Sequence, residues 1–494
     1  MTLKNIMRPR VSTRAAATAA FVFSALIGAH PAVSGEASSS QGPCAPIVSG
    51  APPLPPAQFE DGPVIAPADL VADFEAWVAG IRRLNPHLSI RVDVPRFDRE
   101  AARIRLSLTR PMSRRQAWLT FAALNPVLND GHDGIYMPDY RGALEAHIKA
   151  GGHVVPIEVR TAADNSLRVF SVVPGADSVK PGDRVLSLNG HGADEMMAAM
   201  QAISPGDTPA SRRAWVVRRF AMLFWYLYGD TGQYDLVVRS EPSGCSVRAR
   251  LTGATTLPDA MQSQPKATDL FAWRILPGNI GYLRVDSLDP DLADALAAVA
   301  HSAFAAFKRN GITALIIDVR ENGGGDDPLW QQSLMEYITA RPYAQLSHYE
   351  MLITKKDADP GDVIGTIQRA DYTKRFTPKP VEPIRFNGPV YILAGPYSYS
   401  ATIQFIVAAQ DFGVAKIAGE ETAALSCQTG KYETIDLPKT GLYAAAPVIN
   451  YTRPSGRGCT RGVIPDVPIA INEVMPDETL HALATWISAH PPTP

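Results

Sequence analysis

Three short stretches of this 494-residue chain hold residue types suited to acyl-transfer chemistry. Ser400 follows an apolar run from Pro389 to Ala394, which Gly395 and Pro396 interrupt. A second apolar segment (Ile403, Phe405, Ile406, Val407, Ala408) then runs on to Gln410-Asp411-Phe412-Gly413. That pattern predicts a strand, a turn and a helix, with the hydroxyl at the turn. A helix N-terminus offers unpaired N–H groups and the positive end of a dipole, which suits a nucleophile whose reaction builds an oxyanion. The plainer role for a serine at that place is an N-cap. His132 lies in the glycine-flanked turn Asn129-Asp130-Gly131-His132-Asp133-Gly134, a poor setting for a core residue. Its unperturbed pKa fits a general base at neutral pH, although most loop histidines are solvated surface groups. Gly323-Gly324-Gly325 ends the apolar run Ala314 to Arg320. A phosphate cradle would need Lys-Ser or Lys-Thr after it, and Asp326-Asp327 follow instead. Main-chain amides approaching an oxyanion are the better use of these glycines.

The elements around these residues predict how they meet. Asn279–Val285 reads as a strand, Leu292–Phe307 as an alanine-rich helix, and Ala314–Arg320 as a strand buried on both faces. Strand, helix and strand in that order imply a parallel crossover, and crevices in such sheets lie at the strands' carboxyl ends. Both the triple glycine and Ser400 follow such an end. Upstream, Pro67 opens a helical pattern (Leu70, Phe74, Trp77, Val78, Ile81) that Pro86 stops. Further helical patterns follow over Phe97–Leu108 and from a Ser113 cap through Trp118, Phe121, Leu124 and Leu128. From about Gly151 short strands appear at Val154–Val159 and Arg168–Val173, and Arg212–Tyr228 reads as one apolar helix. Short strands at Tyr432–Leu437 and Leu442–Val448 and an amphipathic helix from Asp477 to Ala489 close the chain.

Composition narrows the class. Hydrophobic residues make up 46% and charged residues 19%, as in a folded multidomain protein, and a formal net charge of -2 gives no reason to expect nucleic acid. No cofactor motif or metal-ligand spacing appears, so no cofactor and no metal are called. Lys4, Arg8, Arg10 and Arg14 before the apolar block Ala15–Ala29, with small residues near Ala32–Gly35, have the layout of a secretory signal peptide. A periplasmic or secreted mature chain without a stable membrane span follows as the expectation. Oligomeric state is left open. The four cysteines, Cys44, Cys245, Cys427 and Cys459, allow three pairings in an oxidising compartment. Cys427 with Cys459 and Cys44 with Cys245 are favoured, because each pair links segments that could flank one domain.

Val179–Gly190, with Lys180-Pro181-Gly182-Asp183-Arg184, resembles a turn-and-strand signature of PDZ domains, which bind extended peptide ends by strand addition. The order of all the motifs resembles the C-terminal processing, or tail-specific, serine proteases. Those motifs are Leu128–His132, Pro181–Gly190, Gly281-Tyr282-Leu283, Leu315–Gly325, Ser398–Gly413, Gly419–Thr422 and Gly462–Asp466. The resemblance implies an α/β multidomain protein with an N-terminal helical part, a PDZ-like β-rich insertion and an α/β (crotonase-like) protease core. The boundaries expected are 1–34 signal peptide, 35–66 flexible lead-in, 67–148 helical domain, 149–265 PDZ-like domain and 266–494 catalytic core. It implies Ser400 as nucleophile, main-chain N–H groups of Gly324 (or a neighbouring glycine) and Ala401 as oxyanion donors, and peptide or protein substrates. For the base it leaves two candidates. Many members use a lysine, here Lys431 if Ala423–Gln428 is an insertion; another branch uses a histidine, here His132. A carboxylate that orients such a histidine tends to precede the Gly462–Asp466 motif, where this chain has Cys459-Thr460-Arg461. A ligand-binding protein with a decayed site is the alternative from another class.

Overall fold

The first helix forms where an apolar stripe meets a suitable start: Pro67 occupies its first turn, and Leu70, Phe74, Trp77 and Ile81 are buried on one face. In this computed structural model residues 64–491 are described, except 87, 173–177, 242, 259–260, 262–265 and 382. The signal-peptide and lead-in segments therefore lie outside the described residues, apart from the end of the latter.

The helix Pro67–Leu84 is followed by Val94–Ser107 and Arg114–Ala122, the last begun by a capping box between Ser113 and Gln116. Leu106, expected in the apolar face of the second helical pattern, is 72% exposed; Leu108, beyond the helix end, is buried in its place. One apolar cluster runs through these helices and on into a five-stranded antiparallel path, Ile157–Thr161, Leu167–Val172, Arg184–Leu188, Gln233–Arg239 and Ser246–Thr252. The stretch expected as one helix over Arg212–Tyr228 is two, Pro209–Arg218 and Phe220–Tyr228. Arg219 between them has left helical geometry at φ -119° and ψ 19°.

The core sheet has six strands: β1 (Phe271–Leu276), β2 (Ile280–Val285), β3 (Ala314–Asp318), β4 (Val390–Ala394), β5 (Lys416–Gly419) and β6 (Val467–Pro468). Their spatial order is β6-β5-β4-β3-β2-β1, parallel throughout except for the antiparallel β1–β2 edge. The helix α1 (Ala293–Asn310) makes the β2-to-β3 crossover. All five residues of β3 and of β4 are buried, as their unbroken apolar runs require. On one face pack α1 and α2 (Ala401–Asp411); on the other lies α3 (Pro476–Ala489), with Leu480, Leu483 and Ile487 against Ile316 and Leu393.

A separate antiparallel sheet ties the two ends of the chain together. The strand Gly134–Tyr136, just after His132, pairs with Tyr443–Thr452, and so does Thr429–Ile435. His348–Leu352 and Ile367–Asp371 extend the sheet on the other side. This pairing carries the histidine turn of the N-terminal region to the carboxyl end of the core sheet.

Candidate active site

Ser400 sits where β4 gives way to α2, at φ 52° and ψ -123°. A non-glycine residue at positive φ is strained by about 1–3 kcal/mol and persists only when its surroundings enforce it. The side chain makes no capping bond to the helix it precedes. Its Oγ instead lies 3.0 Å from His132 Nε2, across 268 residues of sequence. The N-cap reading is thus set aside by geometry. Ser398, the neighbouring serine, is fully buried and donates to the Val319 carbonyl at 2.8 Å, so it pins the turn and does not face a cleft.

The Gly324 loop is pressed against the nucleophile. A Cβ on Gly324 would lie 2.7 Å from Ser400 Cβ and 2.8 Å from the Tyr399 carbonyl, at a φ of +103°. Only glycine fits there. Its own N–H, expected as an oxyanion donor, donates to Asn322 Oδ1 at 2.9 Å. Asn322 Oδ1 also accepts from Thr402 Oγ1 at 2.6 Å, and its Nδ2 donates to the Val285 carbonyl, which locks the glycine loop to α2 and β2. The amides of Ala401 and of the neighbouring Gly323 donate to no described residue. Gly324 therefore serves by its missing side chain, and the open donors flank it.

His132 is set by its turn. Its N–H donates to Asp130 Oδ1 at 2.8 Å, and Gly131 N–H donates to Asp207 Oδ1 at 2.9 Å. A Cβ on Gly131 would collide with the Tyr399 hydroxyl, so any side chain here would push that phenol out of its place beside the imidazole. The ring's second nitrogen, Nδ1, faces the Thr429 hydroxyl at 3.1 Å and the Tyr399 hydroxyl at 3.2 Å. Thr429 in turn donates to Asp130 Oδ1 at 2.8 Å, and Tyr399 to Asp207 Oδ1 at 2.9 Å. Arg91 lies between the two carboxylates, 3.8 Å from Asp130 and 3.6 Å from Asp207, and donates to the Cys427 carbonyl at 2.6 Å. Asp130, Asp207, Thr429 and Tyr399 carry no motif of their own. The available signal was position: Asp130 is two residues before His132, and Tyr399 adjoins Ser400.

Burial lowers the pKa of His132 below its ordinary 6.5, and Arg91 acts in the same direction. Asp130 and Asp207 oppose them without reversing the shift. Burial also raises Asp130, with Arg91 holding it back, and raises Tyr399 well above the usual phenol range, so Tyr399 keeps its proton. A lowered histidine pKa favours the neutral ring. Its contribution to stability is complete above pH 6.5 and is lost as pH falls through the folded-state value. The acid limb of a kcat/KM profile for peptide cleavage is accordingly expected below pH 6.5; a limb at or above 6.5 would contradict this setting of the imidazole.

Lys431, the other candidate base, is not brought to Ser400. Its Nζ donates to Asp357 Oδ1 at 2.6 Å, a mostly buried ion pair that commits the ammonium elsewhere. The segment before Gly462–Asp466 supplies no carboxylate to His132 either: Arg461 there pairs with Glu421 at 2.6 Å. Cys427 and Cys459 form a disulfide that holds this segment beside the strand starting at Thr429. Cys245 is disulfide-bonded too, and its expected partner Cys44 lies outside the described residues. A cavity of about 450 Å³ is lined by Arg160, Asp286, Glu321, Tyr397 and Glu473 among others. It includes neither Ser400 nor His132, so its size is no guide to where a bond is broken.

A strained serine at a strand-to-helix turn, with an imidazole on its oxygen and open amides beside it, is the constellation of a serine hydrolase. Residues 279–469 match the family model described as Peptidase family S41, and the chain is a serine peptidase carrying an S41 domain. Among solved structures, mature CPAF superposes with a TM-score of 0.62 at 15% identity, over 86% of this chain and 99% of that one. Mature CPAF complexed with lactacystin gives 0.61 at 14%, over 86% and 97%. The photosystem II D1 C-terminal processing protease aligns at 19% identity over 82% and 93%, with a TM-score of 0.45. The family match covers the core sheet and its site loops, and the likeness to mature CPAF extends the shared fold, of mixed α/β content with several sheets, over most of the chain. The protease resemblance of the motifs agrees with the S41 match at family level.

Proposed function

We propose that the chain is an exported serine endopeptidase that cleaves extended peptides or protein C-terminal segments through an acyl-enzyme, with His132 in place of the lysine of many relatives. The 3.0 Å contact between His132 Nε2 and the Oγ of a strained Ser400 carries this reading. Ser400 Oγ attacks the scissile carbonyl while His132 Nε2 takes its proton; the Oγ–H bond breaks as the Oγ–C bond forms. The oxyanion rests on the N–H groups of Ala401 and a glycine of the 323–325 loop. The protonated imidazole then gives its proton to the leaving amine, and water releases the acyl group.

The PDZ-like reading of residues 149–265 is supported by the turn at Pro181–Asp183, where Gly182 has φ +95° and Lys180 N–H donates to Asp183 Oδ2 at 2.9 Å. That turn feeds the strand Arg184–Leu188 of an antiparallel sheet whose edge strand Ser246–Thr252 is partly exposed, a surface suited to adding an extended peptide strand. Export is supported by the disulfides, which form and persist in oxidising compartments.

Mass spectrometry of products from unstructured polypeptides, with free and with amidated C-termini, tests the function. Internal cleavage that Ser400→Ala removes and a free C-terminus accelerates is the expected result. Hydrolysis of simple esters with no peptide cleaved would make the chain an esterase and overturn the reading.

A further inference from the structure

We propose that Thr429 and Tyr399 are positioning residues that set the tautomer of His132, relaying Asp130 and Asp207 to a ring that neither carboxylate touches. This rests on the reading of His132 as the base. In the usual arrangement a carboxylate accepts directly from the far nitrogen of the imidazole and so keeps the proton there. Here the nearest Asp130 oxygen is 3.8 Å from Nδ1, too far for a hydrogen bond. The two atoms that do reach Nδ1 are hydroxyl oxygens, at 3.1 Å and 3.2 Å.

Counting protons decides what those hydroxyls do. Each has one proton and two acceptor lone pairs. Thr429 lies 2.8 Å from Asp130 Oδ1, and Tyr399 lies 2.9 Å from Asp207 Oδ1. A bond to a charged acceptor is about twice as strong as one between neutral groups, so both protons point at the carboxylates. Only lone pairs are then turned toward Nδ1. The imidazole has to carry its own proton on Nδ1 as donor, which leaves the Nε2 lone pair facing Ser400 Oγ. That is the tautomer a general base requires. The reverse tautomer would set a lone pair on Nδ1 against two oxygens that have no proton left to offer.

The carboxylates are themselves fixed. Asp207 accepts from Gly131 N–H at 2.9 Å and, through Oδ2, from Leu425 N–H and Gln428 Nε2 at 3.1 Å each. Asp130 accepts from His132 N–H, and Arg91 faces both. When Nε2 takes the serine proton, the ring becomes a cation and keeps its Nδ1 proton. Two carboxylates stabilise that charge, each at one hydroxyl's remove. The charged and titratable groups that face the ring are Asp130, Asp207, Arg91 and Tyr399.

The experiment pairs a rate with a direct reading of the proton. With histidines labelled by ¹⁵N, the His132 signals are those missing from His132→Gln, and they show which ring nitrogen is protonated. The expected wild-type form has the proton on Nδ1. Thr429→Val combined with Tyr399→Phe should move it to Nε2 and lower kcat/KM for peptide cleavage by about 10²–10⁴-fold. Thr429→Ser, which restores a hydroxyl alone, should keep the Nδ1 form and stay within a few-fold of wild type, separating loss of the relay from loss of fold. Retention of the Nδ1 proton, or of wild-type kcat/KM, in the combined variant would overturn the proposal while leaving His132 free to act as base. Full activity in His132→Gln would overturn the base assignment instead, whatever the tautomer did.

Discussion

Ser400→Ala and His132→Ala are each expected to lower kcat/KM for peptide cleavage by about 10⁴–10⁶-fold, and the double variant to be no slower than either one. The reason is that the two side chains perform one step. Without the hydroxyl the imidazole has no proton to take; without the imidazole the hydroxyl is a weak nucleophile. Their 3.0 Å contact makes the losses overlap and not multiply. What remains in the variants is the work of substrate binding and of amides such as Ala401 N–H. Lys431→Ala is expected to stay within a few-fold of wild type, since its ammonium is held by Asp357. Losses that multiplied in the double variant would mean that Ser400 and His132 act in separate steps.

Gly324→Ala is the second large effect. The added methyl would fall 2.7 Å from Ser400 Cβ and 3.2 Å from the Ala401 amide nitrogen, where no real Cβ fits without displacing backbone. Relief requires moving the nucleophile turn, the glycine loop or both, and shifts of about 1 Å in reacting groups cost about 10²-fold in rate. Any displacement of Ala401 N–H from the oxyanion adds about 10²–10³-fold more. The side chain would also be forced to φ +103°, at a stability cost of about 1–3 kcal/mol. A fall of at least 10²-fold in kcat/KM with a modest drop in the denaturant midpoint is the expected pattern. Wild-type turnover in this variant would show that the loop does not face the reacting atoms.

Local features of the site were legible because they are written in consecutive residues. An apolar run, a Gly-Pro break and a second apolar run place Ser400 at a strand-to-helix turn whatever surrounds it. The same holds for Ala314–Asp318 and its glycines, and for the Ser113 cap. The pairing of Ser400 with His132 was named, yet its geometry came from a sheet that joins Gly134–Tyr136 to Tyr443–Thr452, a contact no periodicity announces. Thr429 and Asp207 were not legible at all, and Tyr399 only through its place beside Ser400. A hydroxyl in a polar loop looks the same in sequence whether it meets water or an imidazole 297 residues away. Lys431 shows the converse. It matched a pattern of neighbours, but a distant loop bearing Asp357 decided where its charge went. The continuous apolar texture of Arg212–Tyr228 hid the break at Arg219 because both helices bury residues in the same core.

Labelling with a fluorophosphonate probe, with the modified peptide mapped by mass spectrometry, tests the central claim most directly. The expected result is a single adduct on Ser400 in the native protein and in Lys431→Ala, absent from Ser400→Ala and slowed by several orders of magnitude in His132→Ala. An adduct on another residue, or a labelling rate that fell with Lys431 and not with His132, would contradict it.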